Sequence, residues 1–163
     1  MRRATVSLVG SLFLLAACGD DPGGTADATP TPSTNSVGDA LVIRTRVNIA
    51  AEAGAEPIAT GKVLEGSTLG DSPFCVGGTI VDSHGSTDPS VWLIVETITC
   101  PDGTVKLEFT PDVAQGRTQT GSWTILHGTG TFDGLRGSGE MEVVYGSDES
   151  SPTLVTFTGT VTR

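Results

Sequence analysis

Hydrophobic and polar residues alternate along eight short runs of this chain. In one of them, Val105, Leu107 and Phe109 alternate with Lys106 and Glu108. Successive side chains of a β-strand point to opposite faces, so this period of two predicts strands with one buried face. The runs are also rich in Val, Ile, Thr and aromatic residues, as strands are. The eight predicted strands span residues 41–49, 58–64, 75–81, 91–99, 105–109, 119–126, 140–145 and 154–162.

The segments between these runs carry turn residues, and no segment shows a sustained helical period. Gly, Pro, Asp and Ser are concentrated in the breaks, and Pro101-Asp102-Gly103 is a hairpin-turn signal. Eight short strands without helices predict an all-β domain of antiparallel strands. The pattern alone leaves two architectures open, a two-sheet sandwich and a closed barrel.

The N-terminal segment has the pattern of a lipoprotein signal peptide. Arg2 and Arg3 precede an apolar stretch, residues 6–15, that is too short to span a bilayer. The run Leu15-Ala16-Ala17-Cys18 then resembles a bacterial lipobox. We therefore expect cleavage before Cys18 and lipidation of its thiol, which would anchor the mature protein to the membrane outside the cytoplasm.

Three regions follow from composition. Residues 1–17 are the predicted signal peptide. Residues 18–37 contain Pro, Thr, Gly and Asp with almost no side chain large enough to bury, so they are predicted to form a disordered linker behind the lipidated cysteine. Residues 38–163 form the predicted β-domain, which has the length of a single domain with one core.

The charge of the chain excludes some partners. Loss of residues 1–17 removes two arginines and no acidic residue, so seven basic and 19 acidic residues remain, a net charge of −12. Nucleic-acid binding requires clustered Lys and Arg, which this chain lacks. Anionic lipid would also repel it. Membrane attachment is therefore expected through the lipid on Cys18 alone.

Cys75 and Cys100 are the two cysteines of the predicted domain. Thiols are oxidised in exported proteins, so a disulfide between them is expected. The alternative, a metal site, requires further Cys or His ligands, and only His84 is near in sequence.

Several polar side chains are candidates for chemistry. Glu96 shares a strand face with Ile94 and Ile98, so it is a buried catalytic candidate if that face points inward and a solvated carboxylate if it points outward. His127 is a candidate lumen base or a residue of the barrel rim. Asp82 and His84, with Asp88, form an incomplete ligand set that we interpret as a polar loop, so no metal site is predicted.

Aromatic side chains are the candidates for lining a ligand pocket, namely Trp92, Trp123 and Tyr145. No cofactor is expected. Gly128-Thr129-Gly130 is not a phosphate-binding loop, because no helix follows it and the P-loop lysine is missing.

Three motifs resemble those of small exported actinobacterial proteins related to the allene oxide cyclase and dirigent barrels. They are residues 74–79 (FCVGGT), residues 99–104 (TCPDGT) and residues 123–139 (WTILHGTGTFDGLRGSG). The resemblance implies a closed eight-stranded antiparallel barrel. In physical terms, Gly128 and Gly130 would allow a turn with positive φ. Phe132 and Leu135 would then plug one barrel end.

The sequence leaves several functions open. The first is a surface lipoprotein without enzymatic activity, whose barrel binds a small apolar molecule or a cell-envelope partner. The alternative is a small isomerase or cyclase of the allene oxide cyclase type that uses a lumen carboxylate. A purely structural role is the third. The interior of the barrel discriminates between these functions. Polar groups that converge on a cavity would favour an enzyme, and a cavity with apolar walls would favour a binding protein. An interior filled with side chains would favour a structural role.

Overall fold

A computed structural model describes residues 38–163 except residues 53, 89 and 149. The predicted signal peptide (1–17) and linker (18–37), with Cys18, lie outside the described residues. Within the described ranges the chain forms β-strands and one short 3-10 helix, Gly130–Phe132. No helix of this part has the length and hydrophobicity to cross a bilayer.

The strands follow the predicted order, with a small additional hairpin. Their bounds are β1 (Asp39–Ile49), β2 (Ala59–Val63), β3 (Thr68–Leu69), β4 (Ser72–Pro73), β5 (Thr79–His84), β6 (Ile94–Cys100), β7 (Gly103–Pro111), β8 (Thr118–Gly128), β9 (Arg136–Val144) and β10 (Thr153–Thr162). The hairpin β3–β4 was not predicted. It pairs with β1 through Leu41 and Val42, beyond the end of β2.

The eight long strands close into an antiparallel barrel, as the sequence predicts. Neighbours run in the order β10-β9-β8-β7-β6-β5-β2-β1, and β10 pairs with β1 to complete the ring. The two-residue connection Pro101-Asp102 joins β6 to β7 with Cys100 opposite Gly103, which confirms the predicted hairpin. Closure leaves no unpaired edge in the main sheet.

Alternation along each strand sends one set of side chains into the barrel. In β7, Val105, Leu107 and Phe109 are buried, whereas Lys106 is exposed. In β10 the buried set includes Val155 and Phe157, with Phe157 fully inaccessible. The inward faces of all eight long strands contribute to one apolar core.

The two ends of the barrel differ. Loops 50–58, 85–93, 112–117 and 145–152 connect the strands at one end, which we call the mouth. At the opposite end, which we call the closed end, Phe74, Phe132 and Leu135 are buried, and the rings of Phe74 and Phe132 are 5.5 Å apart. β1 begins at the closed end, where Asp39 pairs with Val161. The expectation that Phe132 and Leu135 fill one end thus agrees with their burial.

Two expectations about local structure need correction. The third strand was predicted at 75–81, but β5 spans Thr79–His84, because Cys75 (φ 49°) and Gly77 (φ 81°) turn the chain before it. Gly130 has the expected positive φ, 61°, whereas Gly128 does not. A Cβ on Gly128 would collide with the Phe132 carbonyl oxygen, so this glycine permits a close approach of two backbones.

The sulfur atoms of Cys75 and Cys100 are 2.02 Å apart, the separation of a disulfide. The bond connects the turn before β5 to the last residue of β6. It therefore fixes that turn to the strand that follows it in the ring.

Candidate functional site

A cavity of about 250 Å³ lies inside the mouth of the barrel. Strands on all sides contribute to it, and most of its walls are apolar. The apolar side chains are Val47, Ile49, Ile58, Ala59, Ile94, Phe109, Pro111, Val143 and Val155. Below it, toward the closed end, large side chains such as Leu107 and Phe157 fill the interior. The lumen is thus open at the mouth and filled beyond it.

Two carboxyl groups are buried side by side at this cavity. Asp82 on β5 and Glu96 on β6 are register partners, and both belong to the inward faces of their strands. Asp82 is 6% exposed and lines the cavity, whereas Glu96 is 0% exposed and does not line it. The prediction for Glu96 is resolved in favour of the inward face.

Neither carboxyl group has a donor from elsewhere in the described chain. Asp82 Oδ1 and both Glu96 carboxylate oxygens are buried without a hydrogen-bond partner. Every lysine and arginine between residues 38 and 163 is exposed, so no basic side chain enters the lumen to neutralise them. The two carboxyls can hydrogen-bond to each other only when one of them carries a proton.

Burial shifts the proton equilibria of both groups. Loss of solvation raises the pKa of Asp82 from 3.8 to about 7, and the hydrogen bond that Asp82 would accept from a protonated Glu96 opposes that rise in part. Burial raises the pKa of Glu96 well above its usual value, and the negative charge of Asp82 and the hydrogen bond that a protonated Glu96 would donate to it raise that pKa further. The pair therefore holds a proton at neutral pH, and Asp82 is the member in contact with the cavity.

Asp82 was missed as a site residue by the sequence analysis. The run Asp82-Ser83-His84-Gly85 contains only turn-forming and polar residues and was interpreted as a loop. The structure corrects this, because Asp82 is a strand residue that points inward two positions after Ile80. That spacing is the one signal in the sequence that would have placed Asp82 on the buried face.

Two other polar groups lie at the rim of the cavity. The Tyr145 hydroxyl donates a hydrogen bond to Gln119 Oε1, and Gln119 Nε2 donates to the Asp112 carbonyl oxygen at 2.6 Å. These bonds hold the phenol ring against the opening, where partial burial raises the pKa of Tyr145. Tyr145 thus lines the cavity.

Trp92 also lines the cavity, from loop 85–93. Its side chain is 57% exposed, and its ring packs edge-on against His84 with the centroids 6.3 Å apart. Trp92 is therefore an aromatic group at the entrance that is open to both solvent and cavity.

Trp123 does not line the cavity, contrary to the expectation from sequence. It is 2% exposed, and its indole N–H donates to the carbonyl oxygens of Glu140 (3.0 Å) and Thr158 (3.1 Å). A Cβ on Gly159 would lie 2.6 Å from the indole ring, so this glycine makes room for it. Because its polar atom is satisfied and its ring enclosed, Trp123 is a core residue.

The predictions for His127 and for a polar loop that contains His84 also need correction. His127 is exposed and pairs with the exposed Lys106 outside the buried core, so it is not a lumen base. His84 is exposed at the end of β5, and its backbone N–H donates to Glu56 Oε1 at 3.0 Å. Among the described residues no group of three or more His, Cys, Asp or Glu side chains is placed to hold a metal ion.

The mouth is strongly acidic. The described residues of its four loops include one arginine, Arg117, and five acidic residues, Glu52, Glu56, Asp88, Asp112 and Asp148. Hydrogen bonds from Ser150, Ser151 and Ser147 lower the pKa of Asp148 to about 2. A negative rim therefore surrounds an opening whose interior also contains carboxyl groups.

Comparison of the chain with protein-family models, with curated proteins and with solved structures finds no match. The mouth cavity and its carboxyl pair are the features on which a function can rest.

Proposed function

We propose that the mature protein is a membrane-tethered extracytoplasmic lipoprotein whose barrel binds a small, mainly apolar molecule. The observation that supports ligand binding is the mouth cavity, which is about 250 Å³ in volume and has predominantly apolar walls. A buried apolar cavity of about 150 Å³ in another protein accepts benzene, so the space is sufficient for a compact ligand. Apolar walls with a few polar groups are the usual composition of small-molecule sites.

The polar groups of the site would orient such a ligand. Asp82 offers a carboxyl oxygen inside the cavity, while Tyr145 and Gln119 form a fixed hydrogen-bonded pair at the rim. A ligand with one polar head and a compact apolar body matches this distribution. Its head would reach Asp82, and its body would displace water from the apolar walls.

The tether fits this proposal. The lipid predicted on Cys18 and the linker 18–37 would join the barrel at Asp39, which lies at the closed end. The mouth is at the other end of the strands from Asp39. Attachment through lipid also requires no basic surface, consistent with a net charge of −12 after residues 1–17 are removed.

A titration with uncharged probes tests ligand binding. Cyclohexanol added to the mature protein in detergent should give a saturable change in tryptophan fluorescence, because Trp92 lines the cavity. Val155→Phe fills the cavity and should weaken binding at least tenfold. Leu154→Phe, the adjacent outward-facing position, should leave it unchanged. The absence of any saturable signal, by fluorescence and by calorimetry, would refute the binding function.

Proton-transfer catalysis is the second candidate, in line with the isomerase or cyclase alternative. The observation in its favour is Asp82, whose pKa of about 7 suits a general base at neutral pH. No lysine or arginine of the described chain lines the cavity to stabilise a developing oxyanion, and for this reason we place binding first. Faster exchange of cyclohexanone α-hydrogens for deuterium with the wild type than with Asp82→Asn would support it. Equal rates would exclude it.

A further inference from the structure

We infer that the ligand of the mouth cavity is a small amine in its ammonium form, with its nitrogen at the Asp82 carboxylate and its hydrocarbon body against the apolar walls. The inference rests on the proposed binding function and specifies the chemical class of the ligand.

The first argument is the missing counter-charge. Asp82 and Glu96 lie in a lumen that no basic side chain of the described chain enters, and three of their oxygen atoms are buried without a donor. Burial of an unpaired carboxylate is costly, and a cation with hydrogen-bond donors compensates that cost best. An ammonium group brings a positive charge and up to three N–H donors. A neutral alcohol brings one donor and no charge.

The second argument is the charge of the entrance. Five described acidic residues against one arginine in the mouth loops give the opening a negative potential. Such a field raises the local concentration of cations and their association rate, and it repels anions. Fatty acids and other carboxylates are therefore poor candidates, although their hydrocarbon chains would suit the walls.

The third argument comes from the size of the cavity and the aromatic group at its entrance. A volume of about 250 Å³ restricts the ligand to a compact body, such as a six-membered ring with one amino substituent. Trp92, open to solvent at the entrance, offers an indole ring to a cation on its way in.

The proton balance of binding follows from the carboxyl pair. When an alkylammonium ion enters a site in which Asp82 is protonated, that proton leaves to solvent and an ammonium–carboxylate pair remains. No covalent bond forms or breaks except this O–H bond. Binding of the amine therefore weakens as pH falls below about 7, the pKa of Asp82.

A matched pair of probes tests the inference. Cyclohexylamine and cyclohexanol are nearly identical in shape and differ in charge. Calorimetric titration of the mature protein in detergent at pH 8, with titration into detergent alone subtracted, should give an amine Kd at least tenfold lower than the alcohol Kd. Asp82→Asn should abolish the difference while alcohol binding persists. Asp71→Asn, which removes an equal charge from an exposed hairpin, should retain it.

The outcomes separate the inference from the function on which it rests. Equal affinity for the two probes in the wild type would overturn the amine inference and leave the binding function standing, whereas no binding of either probe would overturn both. If Asp82→Asn does not fold, the wild-type pH profile decides. Amine affinity should fall about tenfold per pH unit below pH 7 while alcohol affinity does not fall. Parallel pH profiles would contradict the inference.

Discussion

At the scale of single residues, the Asp82–Glu96 pair is the feature that packing does not explain. The surrounding positions hold Ile80, Ile94 and Ile98, and an apolar residue at either carboxyl position would continue the core. Buried carboxyls without a cation reduce stability, and apolar replacements of buried ionic groups are often stabilising. Strained or costly groups of this kind are concentrated at functional sites, which is why we place the site here.

The pair should make stability fall as pH rises. The unfolded chain releases the Asp82 proton near pH 4, whereas the folded chain retains it to about pH 7. The folded state thus binds more protons in this window, and the free energy of unfolding decreases as pH increases through it. At about 1.4 kcal/mol per tenfold change, a shift from 3.8 to about 7 corresponds to on the order of 4 kcal/mol.

Asp82→Asn removes the loss of stability that accompanies ionisation of Asp82. The variant should therefore be more stable than the wild type at pH 8 and similar to it near pH 4. Urea denaturation of both proteins at a series of pH values measures the difference. Asp71→Asn serves as the control, because it relieves the same amount of general charge repulsion at an exposed position. An equal gain in both variants would show that net charge, and not the buried pair, sets the slope.

At the scale of the elements, alternation predicts a strand well where one face is buried and the other solvated. The alternation of the exposed Lys106 with the buried Val105 and Leu107 correctly predicts β7. The alternation over residues 154–162 correctly predicts β10. Closure of the barrel depends on pairing between β1 and β10 at opposite ends of the chain. No local pattern encodes that contact; here the resemblance of the motifs supplied it.

The prediction fails around residues 75–84 for a physical reason. Cys75 and Val76 are apolar and suggest a strand, but positive φ at Cys75 and Gly77 makes this segment a turn. Because β5 begins and ends later in the chain than the predicted strand, Asp82 belongs to it and lies on its inward face. The cavity could not be predicted either, because its volume depends on how side chains from several strands pack at one end.

The disulfide acts at this scale, since it joins that turn to the end of β6. Replacing Cys75 and Cys100 by alanine should lower the free energy of unfolding by about 3.5 kcal/mol, from the chain entropy of a closed loop with a sequence separation of 25. Chemical denaturation of the oxidised protein, the reduced protein and the double variant measures it. Indistinguishable midpoints for all three would show that the bond does not stabilise the fold.

At the scale of the whole molecule, the barrel combines a closed end, where β1 begins, with a mouth that carries the cavity and an acidic rim. This arrangement is compatible with the lipid tether that we propose, because β1 begins at the end of the barrel opposite the mouth.

The tether itself is testable on the full chain. We expect the mature protein to begin at Cys18 with a diacylglyceryl thioether, so that its intact mass after detergent extraction exceeds that of residues 18–163 by the lipid. Cys18→Ala should remove the modification and shift the protein from the detergent phase to the aqueous phase on phase separation. A wild-type protein recovered unlipidated, or starting at another residue, would contradict the lipobox interpretation.

The most direct test of the central claim is a methyl NMR titration that locates the ligand. With cyclohexylamine as the probe, the methyl signals of Val47, Val143 and Val155, which line the mouth cavity, should shift and saturate together. Those of Leu135 at the closed end and of Leu154 on the outer surface should not move. Shifts confined to Leu135, Leu154 or other residues away from the mouth, or no shifts at saturating probe, would contradict a ligand site in the barrel mouth.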